Sequence, residues 1–420
     1  MVVLEPPPQT DSTTSMTEDT AAPDSSRGNA REVFRAFLRL GLLSFGGPVA
    51  HLGYFHAEFV ERRRWCSREA FAEIVAIAQS LPGPASSQVG FSLGLLRAGW
   101  PGGLAAWTAF TMPSALLMLA FAFGHQFLTG RLGLGIVHGL QLVAVAVVAQ
   151  AILSMRKSLA PDVLRLSLAL VAALIVFFGF GTLAAIAFGA TFGLLLPRTA
   201  QPAPMHPLGF QLSKPSALVS AMLFFVLLFG LPFAARLSHS QPVAISSAFY
   251  RTGALVFGGG HVVLPLLESA VVAPGWVDQQ TFLSGYGAAQ ALPGPLFTFA
   301  AFLGASIHEA GGDPIIKCGN ALLALIAIFL PGLLAVVAVL PFWSSLRQRT
   351  PVQAILRGVN AAVVGVLIAA WVRPVCSSAL RSPMDVAIAL AALFALLRWK
   401  LAPWIVVLGV AALSALQTII

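Results

Sequence analysis

The sequence predicts an all-α polytopic membrane protein made of two homologous, inverted-topology repeats whose helices are broken at glycine- and proline-rich motifs. Three observations predict it. Apolar residues fill 57% of 420 positions and charged residues only 10%, against roughly 25% charged in soluble domains. Apolar runs of ~20 residues, long enough to cross a bilayer, recur along the chain. A third observation is a stretch spelled twice, FLRLGLLSFGG at 37–47 and FYRTGALVFGG at 249–259, an offset of 212. The pairing continues at an offset of 211 through Trp65/Trp276, Phe71/Phe282 and Gln79/Gln290 to Leu-Pro-Gly-Pro at 81–84 and 292–295. An ordered recurrence of this kind is an internal repeat.

Composition excludes several classes. The formal charge is +9, but no basic run carries the aromatic interleaving of a nucleic-acid surface, so the excess reads as arginine in cytoplasmic loops. Cys66, Cys318 and Cys376 are isolated, which leaves no disulfide framework and no CxxC site. Neither HExxH nor GxxxxGK[ST] occurs, so no metal, cofactor or nucleotide engine is expected. Residues 1–30 are rich in Pro, Ser, Thr and Asp without an apolar core; they read as a disordered cytoplasmic tail, not a signal peptide.

The first repeat is expected over 31–200. A helix from Arg31 to Phe45 carries Arg31, Arg35 and Arg39 on one face. Gly46, Gly47 and Pro48 interrupt it, because a glycine pair favours a break and proline cannot donate to the preceding turn. A second arm runs from about Val49 to the Glu61-Arg62-Arg63-Arg64-Trp65 loop. Phe71–Leu81 forms another arm, Pro82-Gly83-Pro84 breaks it, and Ala85 onward continues to Arg97. Crossings follow at about 102–128, 134–154, 163–179 and 181–197. A linker over 201–245 holds one unpaired crossing, 216–236. The second repeat, 246–420, has breaks at 258–260 and 293–295, then crossings at about 319–343, 355–373, 384–397 and 402–419. Pro113/Pro331 and the pair His138–Gln141/Arg357–Asn360 extend the repeat.

Two topologies are open. Each broken segment either crosses the membrane or is a re-entrant hairpin with its tip inside the bilayer. Arms of 15 residues reach ~22 Å, past the midplane of a ~30 Å core. The positive-inside rule favours hairpins, which put Arg62–Arg64, Arg156, Lys157 and Arg165 on the cytoplasmic side together. The loop 61–68 carries four arginines where its equivalent 271–280 carries none, so the two halves are expected to face opposite sides. The crossing at 216–236 supplies the inversion. That architecture belongs to secondary transporters.

Unwound backbone at membrane depth is tolerated only where protein buries it or where it lines a wet cavity. Four breaks therefore point to a central site at the repeat interface. Each break starts a new helix whose free N–H groups and positive dipole end face the midplane. The candidate substrate-binding residues are Gly46, Gly47, Pro48, Pro82, Gly83, Pro84, Gly258, Gly259, Gly260, Pro293, Gly294 and Pro295 at the breaks. Ser86, Ser87 and Thr298 add hydroxyls, Gln79 and Gln290 amides, and Arg39 and Arg251 charge. Converging donors and positive charge suit an oxyanion. The bland alternatives are helix kinks for the breaks and snorkelling for Arg39. His51, His56 and Glu58 have no partners in the repeat and read as interfacial; His261 is a weak candidate, and Glu268 and Asp278 read as rim residues.

The FGG motif, the tract from Phe55 to Trp65 ending ERRRW, and the duplicated LPGP make the chain, from residue 31 to 420, resemble the chromate ion transporter family in its long, two-repeat form. The resemblance implies a non-enzymatic secondary transporter that exports chromate across a bacterial inner membrane and confers resistance. It also implies sulfate as an isosteric competitor and coupling to the membrane potential or to protons. A homodimer is compatible with it. The alternatives are a sulfate or other oxyanion transporter or channel, and, further off, an intramembrane enzyme.

Overall fold

The computed structural model describes residues 28–125, 128, 130–196, 210, 212–257, 260–307, 313–347 and 349–418. Residues 1–27 of the expected tail, most of 197–211 across the end of the first repeat and the linker, and Gly258 and Gly259 lie outside the described residues. The described secondary structure is helical throughout. The first half comprises α1 (Ala30–Leu43), α2 (Gly47–Phe55), a π-helical segment His56–Arg62, α3 (Arg68–Ser80), α4 (Ala85–His125), α5 (Arg131–Leu159), α6 (Val163–Phe177) and α7 (Thr182–Gly193). After α8 (Lys214–Ser238) come α9 (Gln241–Leu255), α10 (Val263–Val271), α11 (Gln279–Ala289), α12 (Phe299–Ala305), α13 (Pro314–Val339), α14 (Trp343–Arg347), α15 (Thr350–Ala370), α16 (Ser377–Ala379), α17 (Pro383–Leu397) and α18 (Pro403–Gln417).

Local chemistry sets these bounds. Asn29 caps α1 by accepting from the Glu32 N–H, and Ser67 caps α3 by accepting from Ala70. α4 leaves helical geometry at Ala98 and Gly99, so it is two arms, as expected, joined without a loop. Among the described residues, five stretches are long and apolar enough to span a bilayer: α4, α5, α8, α13, and Thr350–Ala379. α6, α7, α17 and α18 have 15, 12, 15 and 15 residues. They reach only ~18–23 Å; α6, α7 and α18 are shorter than the crossings expected at 163–179, 181–197 and 402–419, while α17 matches the one expected at 384–397.

The two open topologies separate at Glu32. Trp65, beyond the far end of the first broken segment, donates its Nε1–H to Glu32 Oε1 at 3.2 Å, and Arg63 Nη1 lies 3.8 Å from the same oxygen. Arg97, at the end of the first arm of α4, places Nη2 3.4 Å from that oxygen. Segments whose ends share one carboxylate cannot have them on opposite sides of a ~30 Å core. Both broken segments of the first half are hairpins that return to one rim.

The halves also exchange helices. α6 and α7 pack on α15, while α17 and α18 pack on α5. Glycines let the backbones approach. A Cβ at Gly139 would stand 2.7 Å from Ala411 Cα of α18, and one at Gly358 would stand 2.4 Å from Gly193 Cα of α7. Gly139 and Gly358 are equivalent members of the weak repeat pair, so the exchange is reciprocal.

Candidate functional site: two helix breaks that close on each other

α1 ends at Leu43, and the chain turns through Gly46 (φ 105°) and Gly47 (φ 77°), left-handed conformations that favour glycine. The turn frees the Ser44 carbonyl. Gly294, in the second LPGP, donates its N–H to it at 2.9 Å. In the other direction, the Gly83 N–H of the first LPGP donates to the Val256 carbonyl at 2.8 Å. Ser44 and Val256 are equivalent positions, as are Gly83 and Gly294. Each LPGP loop therefore satisfies the carbonyl that the break in the other half releases.

The packing repeats this logic. A Cβ at Gly83 would stand 2.8 Å from Gly332 Cα, and one at Gly294 would stand 2.9 Å from Ser114 Oγ. Gly332 follows Pro331 in α13 and Ser114 follows Pro113 in α4, so each loop seats beside the in-helix proline of the other half. Pro48 and Gly260 are equivalent to each other, and they touch: a Cβ at Gly260 would lie 3.2 Å from Pro48 Cγ. Reciprocal contacts, with one between equivalent positions, are what an approximate two-fold axis produces.

This core gathers Gly46, Gly47, Pro48, Pro82, Gly83, Pro84, Gly260, Pro293, Gly294 and Pro295. Ser86 and Ser87 are buried at the start of α4, and Ser87 Oγ has no hydrogen-bond partner among the described residues. Thr298 is buried too, but its hydroxyl donates to the Pro295 carbonyl at 2.8 Å and closes its own turn. The second half resumes from its breaks as short 3₁₀ turns, Gly260–Val262 and Leu296–Thr298, where the sequence reading expects α-helix from the outset; only the first-half breaks open directly into α-helix. Gln290 is half-buried with an Nε2 that has no partner among the described residues, while its equivalent Gln79 is exposed. Arg39 and Arg251 stand exposed on α1 and α9, outside the cross-paired core, and neither forms an ion pair among the described residues.

The repeat comparison passes over two side chains at the site, Gln88 and His51, and one away from it, Glu73. Gln88 donates to the Pro82 carbonyl at 2.8 Å and the Gly332 carbonyl at 3.0 Å, bolting the first LPGP to α13; its equivalent is Phe299, so pairing could not find it. His51, read as interfacial, is fully buried, with Nε2 3.2 Å from the Ser44 carbonyl. Glu73 is a buried acid in the arm α3, and Trp343 Nε1 donates to its carboxylate; an acid inside an apolar arm was the available signal. At the rim, Arg62 and Arg63 both donate to Glu58. Burial would raise the Glu58 carboxyl, but these bonds and charges outweigh it and hold it below the usual carboxylate range. The arginines that read as a topology signal also hold the hairpin mouth together.

The family model described as "Chromate transporter" matches residues 31–194 and 243–415, the two halves on either side of α8. The chain belongs to the chromate transporter family. It is 29% identical over 346 residues to the chromate transport protein of Pseudomonas aeruginosa, covering 80% of this chain and 79% of that one. It is 29% identical over 352 residues to a probable chromate transport protein of Synechococcus elongatus, covering 81% and 84%. To the chromate transport protein of Cupriavidus metallidurans it is 28% identical over 372 residues, 86% of each. No solved structure matches. The apolar spans and this membership make the chain a multi-pass membrane protein of a transporter family.

Proposed function

We propose that the protein is a secondary transporter that exports chromate from the bacterial cytoplasm across the inner membrane and so confers resistance. Sulfate competes, and the membrane potential or a proton gradient supplies the energy. In this reading the repeats are 31–200 and 246–420, and α8, in the linker 201–245, inverts the second. The observation that carries the reading is the reciprocal closure of the two breaks in a chain of this family. Two half-sites that complete each other at an interface can rock against each other and expose the same groups to either side. The exposed cations Arg39 and Arg251 flank that closure, and N–H groups at the breaks offer donors to an oxyanion.

The test is uptake of radiolabelled chromate into inverted membrane vesicles. Energised vesicles are expected to accumulate it, to lose it on uncoupling, and to accumulate less when sulfate is present. Equilibration without accumulation would make the protein a channel. No flux from inserted protein would remove chromate as the substrate.

A further inference from the structure

The two breaks are alike in backbone and unlike in side chains. Around the first stand Ser44, His51 and Thr111, all with 0% relative exposure. Their equivalents in the second half are Val256, Val263 and Phe329, all apolar. Ser44 Oγ, His51 Nδ1 and Thr111 Oγ1 have no hydrogen-bond partner among the described residues. Natural proteins rarely leave buried polar atoms unpaired without a use for them. These three belong to one neighbourhood: His51 Nε2 is 3.2 Å from the Ser44 carbonyl and its ring meets that of Phe110 at 5.2 Å between centroids, while Thr111 stands one helical turn from Ser114, which lies against Gly294, the donor to that same carbonyl. A Cβ at Gly47, which begins α2, would meet no atom within 4 Å, so the break borders open space.

Resting on the transport reading above, we propose that the oxyanion binds on one side of the pseudo-two-fold axis, at the first break, against Ser44, Thr111 and His51, and that it binds there with one proton. The hydroxyls can each donate to an anion oxygen. His51 decides the proton. A carbonyl only accepts, so Nε2 carries the hydrogen toward Ser44, and Nδ1 is a bare acceptor. Two acceptors cannot face each other without a hydrogen between them. That hydrogen arrives on the anion, as hydrogenchromate, because charging a fully buried ring would cost more. Chromate takes up a proton near neutral pH and sulfate only in strong acid, so this subsite favours chromate over its isostere. The other ionisable groups on the elements around His51 are engaged or distant. Glu32 and Arg97 pair at the rim, Glu58 with Arg62 and Arg63, and His56 with Glu61. Arg31, Arg35 and Arg39 are exposed, His125 lies at the far end of α4, and His261, beside Gly260 at the other break, is hydrogen-bonded through Nδ1 to the Tyr286 hydroxyl at 2.9 Å.

The test measures chromate and sulfate uptake by the full chain in proteoliposomes at pH ~6 and ~8, on either side of the protonation of chromate. Thr111→Val and Ser44→Ala are each expected to raise the chromate KM about tenfold, equivalent to ~1.4 kcal/mol, and Thr111→Ser to keep the wild-type value. The wild type is expected to take up chromate with a lower KM at pH ~6 than at ~8, and His51→Val to abolish both that difference and the preference over sulfate. Variants that keep the wild-type KM, pH dependence and selectivity, in a wild type that transports chromate, would overturn the subsite while leaving the transport reading intact. A wild type that moves no chromate would overturn the transport reading itself.

Discussion

Gly83→Ala is expected to lose most of the folded protein and, with it, chromate transport; Gly294→Ala is expected to follow in the same direction with a smaller effect. Both glycines have positive φ, 116° and 92°, where an L-residue costs about 1–2 kcal/mol. At Gly83 the added methyl would sit 2.8 Å from the backbone Cα of Gly332, with Gln88 Nε2 at 3.2 Å. Overpacking against backbone that cannot yield costs about 1–3 kcal/mol more. A loop pushed off its seat would also give up the Gly83–Val256 hydrogen bond, about 1 kcal/mol. Against a total stability of about 5–15 kcal/mol, that sum is large. At Gly294 the nearest atom is Ser114 Oγ at 2.9 Å, a side-chain end that can rotate away, hence the milder effect. The check is the monodisperse fraction and thermal stability of each variant in detergent. A Gly83→Ala protein as stable as wild type would mean that the loop is not seated as described.

Arg39→Ala and Arg251→Ala are each expected to abolish transport while the protein still inserts normally. Each arginine lies two residues before a glycine that seats its arm on a helix with an internal proline. A Cβ at Gly41 would stand 2.8 Å from the Ala109 carbonyl, and one at Gly253 2.1 Å from the Ile328 carbonyl. The arms are therefore held firmly while the guanidinium groups stay exposed and without an ion pair among the described residues. A cation placed near the membrane interior is costly and usually functional. Lysine at either position discriminates the roles. If only charge matters, it restores part of the flux; if the planar fork grips two oxygens, it restores little. If Arg39 merely snorkels, lysine serves as well and alanine costs little. Full flux in both alanine variants would remove the arginines from the mechanism.

What was legible in the sequence is what glycine and proline dictate locally. Gly46, Gly47, Gly83 and Gly294 have the positive φ their motifs imply, and the helices stop within a few residues of where those motifs sit. What was not legible is which break each loop closes on. Gly294 and Ser44 are far apart in sequence, and nothing local to either names the other. His51 and Gln88 escaped for a different reason. The repeat draws attention to residues that recur, whereas these two stand opposite Val263 and Phe299 and matter because they do not. The π-helical segment His56–Arg62 was invisible too, since its pattern reads as ordinary helix; its pairing of Glu58 with Arg62 and Arg63 depends on how the chain returns to the rim.

The central claim is that an oxyanion passes where the two breaks meet, at Pro48 and Gly260. The most direct measurement is oxidative cross-linking of Pro48→Cys/Gly260→Cys in a background without the native cysteines, with chromate present or absent. A disulfide needs Cα atoms about 4.4–6.8 Å apart, and the Cβ position at Gly260 lies 3.2 Å from Pro48 Cγ. The expected result is a rapid cross-link that chromate slows and that, once formed, stops flux. A variant that transports chromate normally yet never cross-links, or cross-links without loss of flux, would contradict it.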